Sequence, residues 1–323
     1  MNSAPVPAWT PDVLGEPYEA ATLALPDDGE GEVVATLVRR RAGAPTGRAV
    51  LYVHGYLDYF FQRHMADRFV ARGWDFYALD LRKYGRSLRP HQTPYFTTSL
   101  DVYDDEIDQA VDIVRRHDGH ESLVLAGHST GGLVLALWAH RQRGWGLIDG
   151  LVLNSPFLEM NVRRAMRPVL AAVVGPWAKR RPLAEVRVPL NPVYGHSLHR
   201  DFRGEWDYDL AWKPADPLAP RVGWLRAVTL GHRAVAAGLD IDVPVLSMSS
   251  TASFVAREWD ERARSADIVL DAERIARLAP RLGRHVTVVR IAGGVHDLVL
   301  SAEPARTAVF AEVDRWLGAY VEA

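Results

Sequence analysis

Ser122-Leu123-Val124-Leu125-Ala126-Gly127-His128-Ser129-Thr130-Gly131-Gly132-Leu133 is the stretch from which the rest of the chain is read. Leu123 to Ala126 is a short apolar run of the kind that forms a buried parallel strand. A helical pattern follows on Leu133, Val134, Leu137 and Trp138. Strand, tight turn and helix are the setting in which Gly127-x-Ser129-x-Gly131 presents a serine hydroxyl clear of a sheet. The turn forces the serine into a strained backbone geometry and needs residues without a Cβ two before and two after it. Ser129 is the expected nucleophile. A glycine-rich turn that merely contains a serine is the alternative, and strand, glycines and helix together weigh against it.

Outward from that turn, 323 residues hold one large α/β domain plus an inserted subdomain. The net charge of −2 and pI near 6.6 give no electrostatic case for nucleic acid. The basic residues are almost all arginine, with lysine only at positions 83, 179 and 213, read as a compositional habit and not a site. Cysteine is absent, which excludes disulfides, thiolate metal sites and a cysteine nucleophile. Residues 1–7 show no basic and apolar leader pattern, and no run reaches the ~18 apolar residues of a membrane span. A soluble, cytoplasmic protein is expected.

The first 20 residues read as a loose surface arm rich in proline and acidic residues. Residues 21–38 read as a hairpin around Asp27-Asp28-Gly29. Apolar strands are expected at 48–53, 75–79, 123–126, 151–155, 243–248 and 286–291. They alternate with helices at 62–72, 100–116, 268–282 and 304–321, which argues a parallel sheet covered on both faces. From about Phe157 to Gly238 the alternation stops. Prolines, tryptophans and short helical pieces (162–174 and 220–237) mark an inserted helical cap.

A serine hydroxyl needs a base, and the base needs an orienting acid. His296, in Gly293-Gly294-Val295-His296-Asp297 just after the last strand, is the expected base, because ligand chemistry collects at the carboxyl ends of parallel strands. His128 is read as packing and His54 as shaping its loop. His196, His199 and His232 lack a third partner at a metal-like spacing. For the oxyanion, the expected donors are the backbone N–H groups of Thr130 and Tyr56. The acid is open at this level. Ser249 to Ser253 offers no carboxylate, leaving Asp267 first, Asp260 and Asp271 next, and Glu258 and Glu261 behind them.

These residues resemble the α/β-hydrolase superfamily, and within it the monoacylglycerol lipase and lysophospholipase-like (serine-aminopeptidase-type) group. The matching pieces are His54-Gly55, Asp80 to Ser87, Gly127 to Gly132, Val243 to Leu246, Ser265-Ala266-Asp267 and Gly293 to Asp297, in the family's order of Ser, acid, His. The resemblance implies an α/β-hydrolase fold with core segments 1–156 and 239–323 around a cap at 157–238. It also implies a Ser129–His296–Asp267 triad. Two features depart from the family. The usual Asp-x-Arg-Gly-His-Gly-x-Ser stands here as Asp80-Leu81-Arg82-Lys83-Tyr84-Gly85-Arg86-Ser87, and Thr251 to Ser265 is an insertion between strand and acid.

The expected activity is hydrolysis of carboxylic esters with an apolar or acyl group, with no cofactor and no metal. A peptidase or amidase on the same triad and a non-catalytic binding protein are the alternatives. The cap supplies Met160, Met166, Val169, Leu170, Val173, Val174, Trp177, Phe202, Trp206, Trp212 and Trp224 as pocket walls or as packing. Its stretch Arg163 to Arg181 mixes apolar and basic residues, as in a segment that touches lipid surfaces or in a solvated basic edge.

Overall fold

The computed structural model describes residues 8–160, 167–186 and 191–322, with 167–173 as backbone only. Among them nine strands form one sheet: β1 (Thr10–Pro11), β2 (Glu19–Asp28), β3 (Gly31–Arg40), β4 (Arg48–Val53), β5 (Asp75–Asp80), β6 (Ser122–His128), β7 (Gly150–Asn154), β8 (Val245–Ser250) and β9 (Val286–Ile291). Their spatial order is β1-β2-β3-β5-β4-β6-β7-β8-β9. The first three strands pair antiparallel, as do β3 and β5, and every pairing from β5 to β9 is parallel.

Burial follows the composition of each strand. In β2, near the edge, Leu23 and Leu25 face in while Thr22 and Ala24 face out, the alternation of a half-covered strand. In β5 and β7 every residue is buried, as a strand covered on both faces requires. One face is covered by α2 (Asp104–Asp112), α3 (Ser129–Arg141) and α6 (Val222–Ala237), the other by α1 (Arg63–Ala71) and α8 (Glu303–Tyr320). On the second face Met65 and Phe69 of α1 pack with Val309, Val313 and Trp316 of α8. Each such side chain contributes roughly 1.5–3 kcal/mol by leaving water.

Helices α4 (Arg167–Arg180), α5 (Val193–Leu198) and α6 all lie between β7 and β8, while α7 (Ala272–Leu278) precedes β9. The helical piece expected at 162–174 lies partly outside the described residues. Its described part continues through Pro176 to Arg180. The helix expected at 268–282 begins only at Ala272, because the Asp267 carboxylate holds the N–H groups of Val269 and Leu270 in a turn and Asp271 caps the helix. The segment from 8 to 20 is no loose arm: Thr10 pairs with Ala20, and Asp12 binds Arg86 at 2.7 Å.

Register brings the chemistry to one edge. Val53 of β4 pairs with Gly127 of β6, and His128 with Asn154 of β7, so the segments leaving β4, β6 and β7 start side by side. The β4/β6 boundary is also where the strand order reverses, with β5 on one side of β4 and β6 on the other. A crevice at the carboxyl ends of the strands is expected at such a point.

Candidate active site

The turn after β6 has the geometry its glycines imply. Ser129 sits at φ 50°, in the left-handed region that side chains rarely adopt. A Cβ on Gly131 would run into the carbonyl oxygens of Val53 and His54. The missing side chain is therefore what lets the serine turn close against the end of β4. α3 begins at Ser129 itself, so the N–H of Thr130 lies in the first turn, where helical N–H groups have no intrahelical acceptor.

Three of the residues singled out from the sequence meet here. His296 Nε2 lies 3.0 Å from Ser129 Oγ, and His296 Nδ1 lies 2.9 Å from Asp267 Oδ2. All three are buried, Asp267 completely. The other Asp267 oxygen accepts hydrogen bonds from Val269 and Leu270, so one carboxylate edge is fixed by backbone and the other faces the imidazole.

Asp267 reaches this position although it is not next to the strand in sequence. The chain leaves β8 at Ser250, travels out, and returns so that Ser253 and Asp267 form a bridge. Asp267 N–H donates to Ala252 O at 2.9 Å, and Phe254 N–H to Asp267 O at 3.2 Å. The insertion is thus looped out, and Asp267 stands where a residue directly after β8 would. Asp260 and Asp271 are engaged elsewhere: each accepts a backbone N–H at the start of a helical turn and pairs with an arginine, Arg262 and Arg274.

The β4 loop supplies the facing wall. Leu81 N–H donates to His54 Nε2 at 3.1 Å, which fixes that nitrogen as unprotonated and leaves Nδ1–H to donate to Gly55 O at 2.8 Å. Burial depresses the His54 pKa, in keeping with a neutral ring that shapes the loop. Tyr56 packs at a tilt on Trp224 of α6 with centroids 4.1 Å apart. In the Asp80–Ser87 loop, Lys83 takes φ 66° where the related pattern has glycine. Its ammonium is anchored on Asp28 at 2.5 Å and Glu30 at 2.6 Å. Tyr84, where the pattern has histidine, packs on His54.

The buried polar cluster beside the serine was not anticipated. Lys213 Nζ binds Asp58 Oδ1 at 2.7 Å, and Asp58 Oδ2 lies 3.5 Å from His128 Nδ1, an ion-pair distance too long for a hydrogen bond. Asp297 accepts from Asn154 at 2.6 Å and Gln62 at 3.2 Å. Burial alone would raise the Asp58 pKa, but the Lys213 ammonium holds it well below the usual carboxylate range. His128 is opposed by its own burial, and Asp297 and Asp58 still raise its pKa. Asp58, His128 and Asp297 lie close enough to share a cation, and the cation on Asp58 is Lys213. Lysine at 213 is therefore part of the site and not a compositional habit. The only sequence signal was a lysine kept where the chain otherwise uses arginine.

A cavity of about 510 Å³ opens above Ser129 and His296, lined also by Tyr56, Thr130, Asp58, His128 and Lys213. Of the expected cap walls, Met160 and Trp224 line it. Val174, Trp177, Phe202, Trp206 and Trp212 do not: Val174 packs in the core, Trp206 binds Leu300 O, and Trp212 packs on Tyr59. Met166 and the side chains of Val169, Leu170 and Val173 lie outside the described residues. Val193, Leu198, Ile268 and Leu270 were missed as walls. His196, His199 and His232 bind Asp216, Tyr208 O and Phe157 O respectively, each a separate contact.

A mostly parallel sheet with helices on both faces, a serine on a strained strand–helix turn and a histidine after the last strand define an α/β-hydrolase. Residues 44–303 match the family described as serine aminopeptidase, S33 (Hydrolase_4), and the chain belongs to that family. It is an enzyme of the esterase and lipase type of hydrolase. A monoacylglycerol lipase of Mycolicibacterium smegmatis is 26% identical over 276 residues, 84% of this chain and 88% of that one. A soluble variant of monoglyceride lipase from Saccharomyces cerevisiae superposes with TM-score 0.65 at 16% identity, covering 93% of this chain and 96% of the other. A carboxyl esterase from Bacillus coagulans gives TM-score 0.66 at 13% identity, covering 93% and 98%. Among the described residues no helix is long and apolar enough to cross a membrane.

Proposed function

We propose that the enzyme is a serine esterase whose substrates are carboxylic esters of the monoacylglycerol, lysophospholipid or small acyl-ester kind. The observation that carries this reading is the hydrogen-bonded chain Ser129–His296–Asp267 opening into a largely apolar pocket. Ser129 Oγ attacks the ester carbonyl while His296 Nε2 accepts its proton. Asp267 orients the ring and stabilises the imidazolium. The N–H groups of Tyr56 and Thr130 hold the oxyanion. His296 then protonates the leaving alcohol and activates the water that releases the acid. No cofactor enters these steps. Residues 157–238 act as the cap on a core made of 1–156 and 239–323.

The polar cluster supports an alcohol portion that bears hydroxyl groups. The leaving oxygen takes its proton from His296, so the alcohol sits on the His296 side of the serine. The His128 ring lies there, with centroids 5.0 Å apart, and joins Asp58 and Lys213 on the same wall. The acyl part is left to the apolar walls at Met160, Leu198, Trp224 and Leu270.

An aminopeptidase on the same triad needs a free carboxylate for the substrate's ammonium. Asp58 is the acid that lines the pocket among the described residues, and Lys213 already neutralises it, which favours the ester. The test is turnover of p-nitrophenyl esters from acetate to palmitate, with 1-monoacylglycerols and an aminoacyl-p-nitroanilide alongside, by wild type and Ser129→Ala. Ester turnover abolished by Ser129→Ala supports the reading. Anilide cleavage with no ester turnover overturns it.

A further inference from the structure

The outer face of α4 and α6 carries charge that no acid among the described residues balances. Elsewhere the arginines mostly find acids, as Arg86 does in Asp12 and Asp80, or Arg141 in Asp104. Neither α4 nor α6 contains an aspartate or glutamate over its 14 and 16 residues. Lys179 of α4 and Arg226 and Arg233 of α6 have no carboxylate partner among the described residues. These three surround a groove of about 360 Å³ between the helices, with Pro176, Thr229 and Leu230 between them. Arg226, Thr229, Leu230 and Arg233 follow one another at the spacing of a single helical stripe.

Exposed apolar groups stand on the same two helices. Leu230, between Arg226 and Arg233, is 43% exposed, and Trp177, on the last turns of α4 outside the groove, 37%. Cations flanking an exposed leucine, with an exposed tryptophan on the adjoining helix, match a bilayer interface, where ammonium and guanidinium groups meet lipid phosphates and the apolar side chains enter the headgroup layer. A nucleic acid would leave those apolar groups unused. The opposite side of α6 places Trp224 in the substrate pocket, so one helix thickness separates this face from the serine site.

We propose that the α4/α6 face docks the enzyme on anionic phospholipid bilayers through Lys179, Arg226 and Arg233. The link to substrate rests on the esterase reading, since docking here would bring a lipid-borne ester to the pocket; the docking itself does not. The face differs from the expected basic stretch 163–181, because two of its three cations, Arg226 and Arg233, come from α6.

The test is co-sedimentation with vesicles of phosphatidylcholine alone and of equal phosphatidylcholine and phosphatidylglycerol, at low and high salt. Turnover of soluble p-nitrophenyl butyrate is measured in parallel. Wild type is expected on the anionic vesicles only, and released by salt. The triple variant Lys179→Glu, Arg226→Glu, Arg233→Glu loses binding by on the order of 100-fold or more, at about five-fold per neutralised charge, with soluble turnover unchanged. Arg226→Gln with Arg233→Gln repeats the direction at smaller size and guards against misfolding. Equal binding by wild type and triple variant, equal binding to neutral vesicles, or no binding to anionic vesicles at low salt overturns the proposal. Loss of soluble turnover in wild type would instead strike the esterase reading.

Discussion

The two nitrogens of His296 are held by very different pieces of chain. On one side Nε2 meets Ser129, whose position is set within a few residues by β6, the glycines on either side and the first turn of α3. On the other, Nδ1 meets Asp267 at the end of an excursion from Ser250, closed by the Ser253–Asp267 bridge. Ser129 is placed by local sterics. Asp267 is placed by a long-range closure that tolerates insertion, since the site requires only that the two ends meet and each doubling of a loop's length costs only about 0.6 kcal/mol. The polar cluster is a third case, in which Lys213 comes from the segment between β7 and β8, Asp58 from the β4 loop and His128 from β6.

The comparison breaks most visibly in turnover. Ser129→Ala and His296→Ala should each lower kcat for a p-nitrophenyl ester by roughly 10⁴–10⁶, measured under saturating substrate. Asp267→Asn should lower it by about 10³–10⁴ through loss of the imidazole's orientation and charge partner. In the same assay Asp260→Ala and Asp271→Ala should stay close to wild type. A large loss in Asp260→Ala with a mild one in Asp267→Asn would place the acid elsewhere on the excursion.

Stability effects come next in size. Lys213→Met leaves the Asp58 carboxylate buried without its cation, and should cost about 3–5 kcal/mol in denaturant unfolding. Asp58→Asn combined with Lys213→Met should recover much of that loss, as the double-mutant cycle of a coupled pair requires. Asp271→Ala, which removes the helix cap on the Arg274 N–H, should cost only about 1 kcal/mol.

The smallest effect is a pH dependence. The His128 pKa is raised in the folded state by Asp297 and Asp58, against burial and the Lys213 charge. A raised folded pKa contributes stability in full below the unfolded value, and that contribution is lost as pH rises through the folded value. Unfolding of wild type and His128→Gln from pH 5 to 8 should therefore show a stability gap that narrows with pH. A gap that widens with pH would contradict the sign.

How much was legible in the sequence follows from the same physics. The parallel strands, the serine turn and His296 were readable because apolar runs, obligatory glycines and a position after the last strand are local signals. Asp267 could be ranked first but not separated by spacing alone from Asp260 and Asp271, because what distinguishes it is a bridge between residues fourteen apart. Lys213 was set aside because its partner Asp58 lies 155 residues away, a pairing no local pattern encodes. For the tryptophans of 157–238 the choice between pocket wall and packing stayed open for a related reason: a large apolar side chain satisfies core packing as well as a pocket, and only tertiary placement decides.

The most direct test of the serine site is labelling with a serine-directed fluorophosphonate, followed by intact-mass and peptide mapping. Wild type should gain one adduct on the peptide containing Ser129, Ser129→Ala none, and His296→Ala should label far more slowly. An unlabelled wild type, or equal labelling of Ser129→Ala, would contradict the assignment of Ser129 as the activated nucleophile.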